Sequence, residues 1–146
     1  MNGSTSLRSK LSSIVLLIGV MELIGAPAFA TTATGTQNPE LTVSASLSSD
    51  GPNPDVAAVG NAVTAAFSVT NNTFRFLRVN LRLVLTFPAG ETIPLSVTIP
   101  LAPIQTLSPD VTFTVPDFLP KGLYQLTTEA SDANGVSSAT ATITIL

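Results

Sequence analysis

A chain of 146 residues with no His and no Cys has few ways to do chemistry. Without an imidazole, neither a Ser–His–Asp nor a Cys–His nucleophile can be assembled. Without imidazole or thiolate, the common zinc and copper sites have no ligands. A Ser–Lys pair would need Lys121 as its base, and that residue stands in a Pro-Lys-Gly corner, where a lysine ordinarily faces solvent. Paired carboxylates can hydrolyse glycosides. Here the acids fall almost entirely in loops, and the aromatic platforms that grip sugar rings are missing, with no Trp and one Tyr. What remains is a set of hard oxygen ligands. Asp50, Asn53 and Asp55 share one loop, and Asp132 and Asn134 share another. Either loop could offer oxygens to calcium, although neither has the spacing of an EF-hand. Asp and Asn also occupy tight turns for conformational reasons of their own. The expectation is a non-enzyme with no cofactor, with calcium in these loops as the alternative.

The other polar residues with a pattern are arginines. Arg78 and Arg82 alternate with apolar neighbours, so they share one face of a strand with Asn80 between them, and Arg75 lies just before. They form a candidate surface for an acidic partner, or a solvated face that deters edge-to-edge pairing. From residue 31 onward, Arg75, Arg78, Arg82 and Lys121 stand against eight carboxylates, a net charge of −4. Nucleic acid is disfavoured as a partner, because its binding needs a basic footprint.

The N-terminal segment has the three parts of an export signal. Arg8 and Lys10 are basic, Leu11–Ile24 is an apolar stretch, Pro27 breaks it, and Ala28 and Ala30 are the small residues a signal peptidase fits. Glu22 interrupts the run, which falls short of the ~20 apolar residues of a permanent span. Residues 1–30 are therefore read as a signal peptide with its helix, cleaved after Ala30. Residues 31–39 are read as a flexible leader, and 40–146 as one domain. The protein is expected to be exported, to a bacterial periplasm or outside the cell, and to touch membrane only through an uncleaved signal.

The elements that carry these residues alternate with a period of two. Seven apolar runs begin near Leu41, Val63, Val79, Ile93, Val111, Tyr124 and Ala139, separated by Gly, Pro, Asn and Asp clusters. One apolar face per strand requires a second layer to cover it. The predicted fold is all-β, a seven-stranded antiparallel immunoglobulin-like β-sandwich. Pro94 and Pro100 place the fourth strand at an edge. The fourth or the seventh is the expected open edge for strand addition. Val84, Leu123 and Leu146 fall on the outward parity and would form a partner surface if they clustered.

The last two strands carry a resemblance. Lys121-Gly122-Leu123-Tyr124-Gln125-Leu126, followed by Ala130-Ser131-Asp132-Ala133-Asn134-Gly135, resembles the final hairpin of bacterial immunoglobulin-like domains of the CARDB and fibronectin-III-like type. Phe67-Ser68-Val69-Thr70-Asn71 is similar to their second strand. The resemblance implies a sandwich over about residues 40–146 and a tyrosine corner. Tyr124 would bond back to the backbone of the Asp117–Gly122 corner. The disulfide and core Trp of antibody-type domains are absent. The function these readings point to is a non-catalytic exported module for protein or cell-surface binding or structural assembly. Its partner would be an extracellular or periplasmic protein or surface polymer. The alternative is a periplasmic calcium- or small-ligand-binding domain.

Overall fold

The computed structural model describes residues 32–34 and 38–146. The signal assigned to residues 1–30, with Ala28 and Ala30, lies outside the described residues. Ten strands are described: β1 (Thr32–Thr34), β2 (Leu41–Ser49), β3 (Val56–Ala57), β4 (Ala62–Asn71), β5 (Leu77–Thr86), β6 (Thr92–Leu101), β7 (Thr106–Leu107), β8 (Asp110–Thr114), β9 (Gly122–Asp132) and β10 (Gly135–Ile145). No helix occurs among them. One sheet runs β1-β10-β9-β5-β6, with β3 also against β10, and the other is built on β2-β4-β7, with β8 also against β4. All pairings are antiparallel except that of β3 with β10. The third, sixth and seventh long strands share a sheet, which fits an immunoglobulin-like sandwich.

Alternation explains the two layers. In β5, Leu77, Val79, Leu81 and Leu83 are buried while Arg78, Asn80 and Arg82 are exposed. Large and small residues meet across neighbouring strands of the inner faces: Leu81 opposite Ala130, Leu126 opposite Ala141, Phe67 opposite Ala45, Leu47 opposite Ala65. Such pairing lets the faces interdigitate without voids. The outer face of the smaller sheet is tied by hydroxyls rather than charge. Thr64 meets Thr112 at 2.8 Å, Thr70 meets Thr106 at 2.7 Å, and Ser44 bonds Ser68. This accounts for a stable sheet surface in a chain with only 10% charged residues.

Four expectations need correction. The described strands number ten rather than seven, because β1, β3 and β7 are three residues or fewer and too short to show alternation. The sheets are not wholly antiparallel, because β3 runs parallel to β10. The seventh expected strand, β10, is not an open edge: β1 pairs its Ser138–Thr140 and β3 its Thr144–Ile145. β6 is an edge, as its prolines predict, with Pro94 opposite Val84 and Pro100 opposite Arg78. Within the segment read as a leader at 31–39, the described residues are also more ordered than the composition suggests. Thr32–Thr34 form β1, and Asn38 is fully buried. The Asn38 amide donates to Asp132 Oδ1 at 2.8 Å and to the Gly135 carbonyl at 3.2 Å. Ser137 Oγ donates back to the carbonyls of Asn38 and Leu41.

Candidate binding surface at one end of the sandwich

The loops divide between two ends. One end gathers Asn38–Glu40, the β4–β5 loop, the β6–β7 turn and the β9–β10 hairpin. Glu40 links three of these segments. Its carboxylate accepts from Asn134 Nδ2 at 2.9 Å and pairs with Arg75, and its carbonyl accepts from Asn72 N at 2.8 Å. The Asn134 amide, and next the Arg75 guanidinium, hold the Glu40 carboxyl below its ordinary pKa.

Asn71 pins two loops of this end from inside. It is fully buried at the last position of β4. Its Nδ2 donates to the carbonyls of Arg75 at 2.8 Å and Ala102 at 2.9 Å, and Leu101 O lies at 3.4 Å. Its Oδ1 accepts from the backbone N and the hydroxyl of Thr73, at 2.9 and 2.7 Å. Ile104 N then donates to Thr73 O at 3.0 Å, which joins the two loops. On this scaffold Phe74 and Phe76 stand out at 90% and 75% exposure, and Ile104 at 52%. Apolar groups so exposed and so close mark a contact surface more often than an accident of packing.

The sequence pattern did not single out these side chains. A signal was present: Phe74 and Phe76 share the parity of Arg78, Asn80 and Arg82, which is the outward parity of β5.

The predicted site residues are not brought together. Arg78 and Arg82 face outward as expected, but Arg82 pairs with Glu129 at 3.3 Å and Arg75 with Glu40. Of the three arginines offered as a partner surface or a solvated face, two are thus paired with carboxylates. The two calcium loops lie at opposite ends. Asp50 Oδ1 accepts from Ala62 N at 2.9 Å, and Asn53 Oδ1 from Asp55 N at 3.0 Å. Asp132 Oδ1 accepts from Asn134 N at 2.7 Å and from Asn38, and its Oδ2 is enclosed without a partner. One such oxygen falls far short of the roughly six to eight that calcium takes. Among the described residues no group of three or more His, Cys, Asp or Glu is placed to hold a metal ion. Leu123 and Leu146 are exposed, whereas Val84 is half-buried opposite Thr127.

The far end holds the tyrosine corner. Tyr124 Oη donates to Pro120 O at 2.7 Å, and its ring meets Phe87 edge-on at 5.4 Å. Gly122 enters β9 there with φ +131°, and a Cβ at this position would lie 2.7 Å from Pro88 Cβ. Gly122→Ala is therefore expected to cost about 1–2 kcal/mol, from strained backbone and a clash that Pro88 cannot relieve by rotation. Chemical denaturation of the variant against the parent checks this.

No protein-family model matches the chain, and no curated protein matches it. Solved structures share its fold. The Pseudomonas fluorescens alkylpurine DNA glycosylase AlkC, bound to DNA containing an abasic site analog, is 10% identical and overlaps 73% of this chain and 30% of that one, with a TM-score of 0.53. The C-terminal domain of wzt is 11% identical over 80% of this chain and 78% of that one, with a TM-score of 0.51. A CARDB domain from Pyrococcus furiosus, in complex with di-metal ions, is 17% identical over 77% and 97%, with a TM-score of 0.48. The likeness is one of fold: a β-sandwich module.

Proposed function

We propose that this protein is an exported, non-catalytic sandwich module that works by contact at the cell surface through the loop end carrying Phe74, Phe76 and Ile104. One observation carries the reading: strongly exposed aromatic side chains stand on loops that a buried asparagine holds in place. Holding apolar anchors in a fixed geometry reduces the ordering cost of association. In sandwich domains the loops at one end are a recurrent recognition surface. The partner is an extracellular or periplasmic protein or a surface polymer, as expected for a chain with an export signal and an acidic balance. The test is recovery of the exported protein from its own cells after mild cross-linking. The exported form should begin at Thr31 and carry a defined partner, and Phe74→Ser with Phe76→Ser should lose that partner while the melting temperature stays unchanged. Retention of the same partner by the double variant would overturn the assignment of this end.

A further inference from the structure

We propose that the open edge of β6 pairs with the β6 of a second copy of this chain, antiparallel and about a twofold axis at Val97. The contact is separate from the loop end and goes beyond the function proposed for it. Three observations carry it. The first is the direction of the backbone. Phe87 N donates to Glu91 O at 2.8 Å at the turn into β6, in the same register that sets Leu85 opposite Ile93. Alternate residues of a strand bond to opposite sides. The odd-numbered residues of β6 therefore bond to β5, and the even-numbered ones point their N–H and C=O away from it. Among the described residues no strand lies on that side. Pro94 and Pro100 fall on it, which leaves Ser96 N and Thr98 N as its central donors, both on exposed residues.

The second observation is that this strand reads nearly the same in either direction. Outward from Val97 stand Ser96 and Thr98, Leu95 and Ile99, Pro94 and Pro100, Ile93 and Leu101. A twofold contact uses the same patch on both copies, so that patch must be complementary to itself. Laid antiparallel about Val97, Ser96 of each copy meets Thr98 of the other, for about four backbone hydrogen bonds, and each proline meets a proline. The prolines also choose this register. A shift of two residues either way sets a proline opposite Ser96 or Thr98 and breaks the run of proline-free pairs. Beyond Pro94 and Pro100 the ladder stops, and the twofold consumes both edges, so pairing does not run on into a fibre.

The third observation is the inner face at this edge. Leu95, Val97 and Ile99 pack on the core yet are only half-buried. In the twofold pair Val97 meets its own copy and Leu95 meets Ile99, at non-hydrogen-bonded positions where side chains lie closest. No residue of β6 is charged, so the strand lacks the lysines and inward charges that protect other edges.

So short a contact falls below the roughly 1,200–2,000 Å² of stable complexes, and half-association is expected on the order of 0.1 mM. The chain has no Cys, so single cysteines report which residues meet. Val97→Cys, oxidised at about 0.1 mM, should form a disulfide-linked dimer, because facing Cα atoms at such a position lie ~4.5 Å apart, within bridging reach. Ile99→Cys should lag roughly tenfold or more, its own copy being displaced by about 13 Å along the strand. A mixture of Leu95→Cys and Ile99→Cys should link as a heterodimer. Ser96→Pro removes a donor that the ladder with β5 does not use. It should cut the Val97→Cys dimer about tenfold and leave the melting temperature of the dilute protein unchanged, and Thr98→Pro should do the same. Phe74→Ser with Phe76→Ser should leave the dimer yield as it was, so this test and that of the loop end fail separately. Equal linking of Val97→Cys and Ile99→Cys would overturn the inference, as would a Val97→Cys yield that neither folded proline variant lowers. So would loss of the dimer in the double Phe variant, or sedimentation as a monomer at about 1 mM, on the order of ten times the expected midpoint.

Discussion

Replacing Asn71 by alanine should lower the stability of the domain by about 3–4 kcal/mol, a large loss for a single polar side chain. The side chain is fully buried, and its amide and carbonyl hold Arg75 O, Ala102 O, Thr73 N and the Thr73 hydroxyl. Alanine leaves Ala102 O and Thr73 N without this partner, while the Thr73 hydroxyl can still donate to Arg75 O at 3.2 Å, and each buried group left unpaired costs about 1–3 kcal/mol. Water can reach part of the β4–β5 loop, which keeps the total below the simple sum. Asn71→Asp should be at least as damaging at neutral pH, because a carboxylate oxygen would then face carbonyls where an NH2 now donates. Asn72→Ala is the informative contrast. Its amide bonds Thr42 Oγ1 and Pro39 O at the surface, where water replaces it, so less than about 1 kcal/mol should be lost. Urea unfolding of the three variants measures the order. Equal, small losses for Asn71→Ala and Asn72→Ala would mean that Asn71 is no clamp.

Tyr124→Phe should lose about 1–1.5 kcal/mol at neutral pH, because Pro120 O gives up the hydroxyl that donates to it while the ring still packs on Phe87. The larger signature is alkaline. Burial pushes the Tyr124 hydroxyl up to about 12, whereas an unfolded tyrosine ionises near ~10. Below pH ~10 both states hold the proton, and the contribution is complete. As pH rises from ~10 through about 12 the unfolded chain ionises first, and this contribution, on the order of a few kcal/mol at most, drains away. The phenylalanine variant has no such group, so its stability should decline less over that window. The two curves should therefore converge and cross between pH ~10 and about 12. A parent curve parallel to that of the variant from pH 9 to 12 would contradict the buried hydroxyl.

The long strands were legible because alternation survives in sequence. β5 is the clearest case, with Val79, Leu81 and Leu83 inward and Arg78, Asn80 and Arg82 outward. Pro94 and Pro100 marked an edge because a proline cannot donate to a second neighbour. Tyr124 and its corner were also visible, since the type of residue and its distance from the preceding turn are both local facts. What escaped depended on distant partners. β10 looked like an edge because nothing near it in sequence shows that β1 and β3 will lie against it. Asn71 and Asn72 are adjacent, identical in type and both apt for a turn. Only the tertiary structure makes one a buried clamp and the other a surface residue. Asn38 went unread for the same reason, since its carboxylate partner lies 94 residues away.

That separation has a kinetic consequence. β10 is the neighbour of β1, β3 and β9, and the hydrogen bonds that fasten Asn38 and Ser137 close loops of 94 to 99 residues. A chain that emerges from its N-terminus at ~5–20 residues per second must wait roughly 5–20 s between β1 and β10. During that interval the strands of the larger sheet lack the one that joins three of them. No helix among the described residues offers a local refuge, so the search is dominated by distant pairings, which places folding in the slow range of about milliseconds to seconds. The nascent domain therefore stays open until its final hairpin appears, and it closes as a unit when that hairpin arrives.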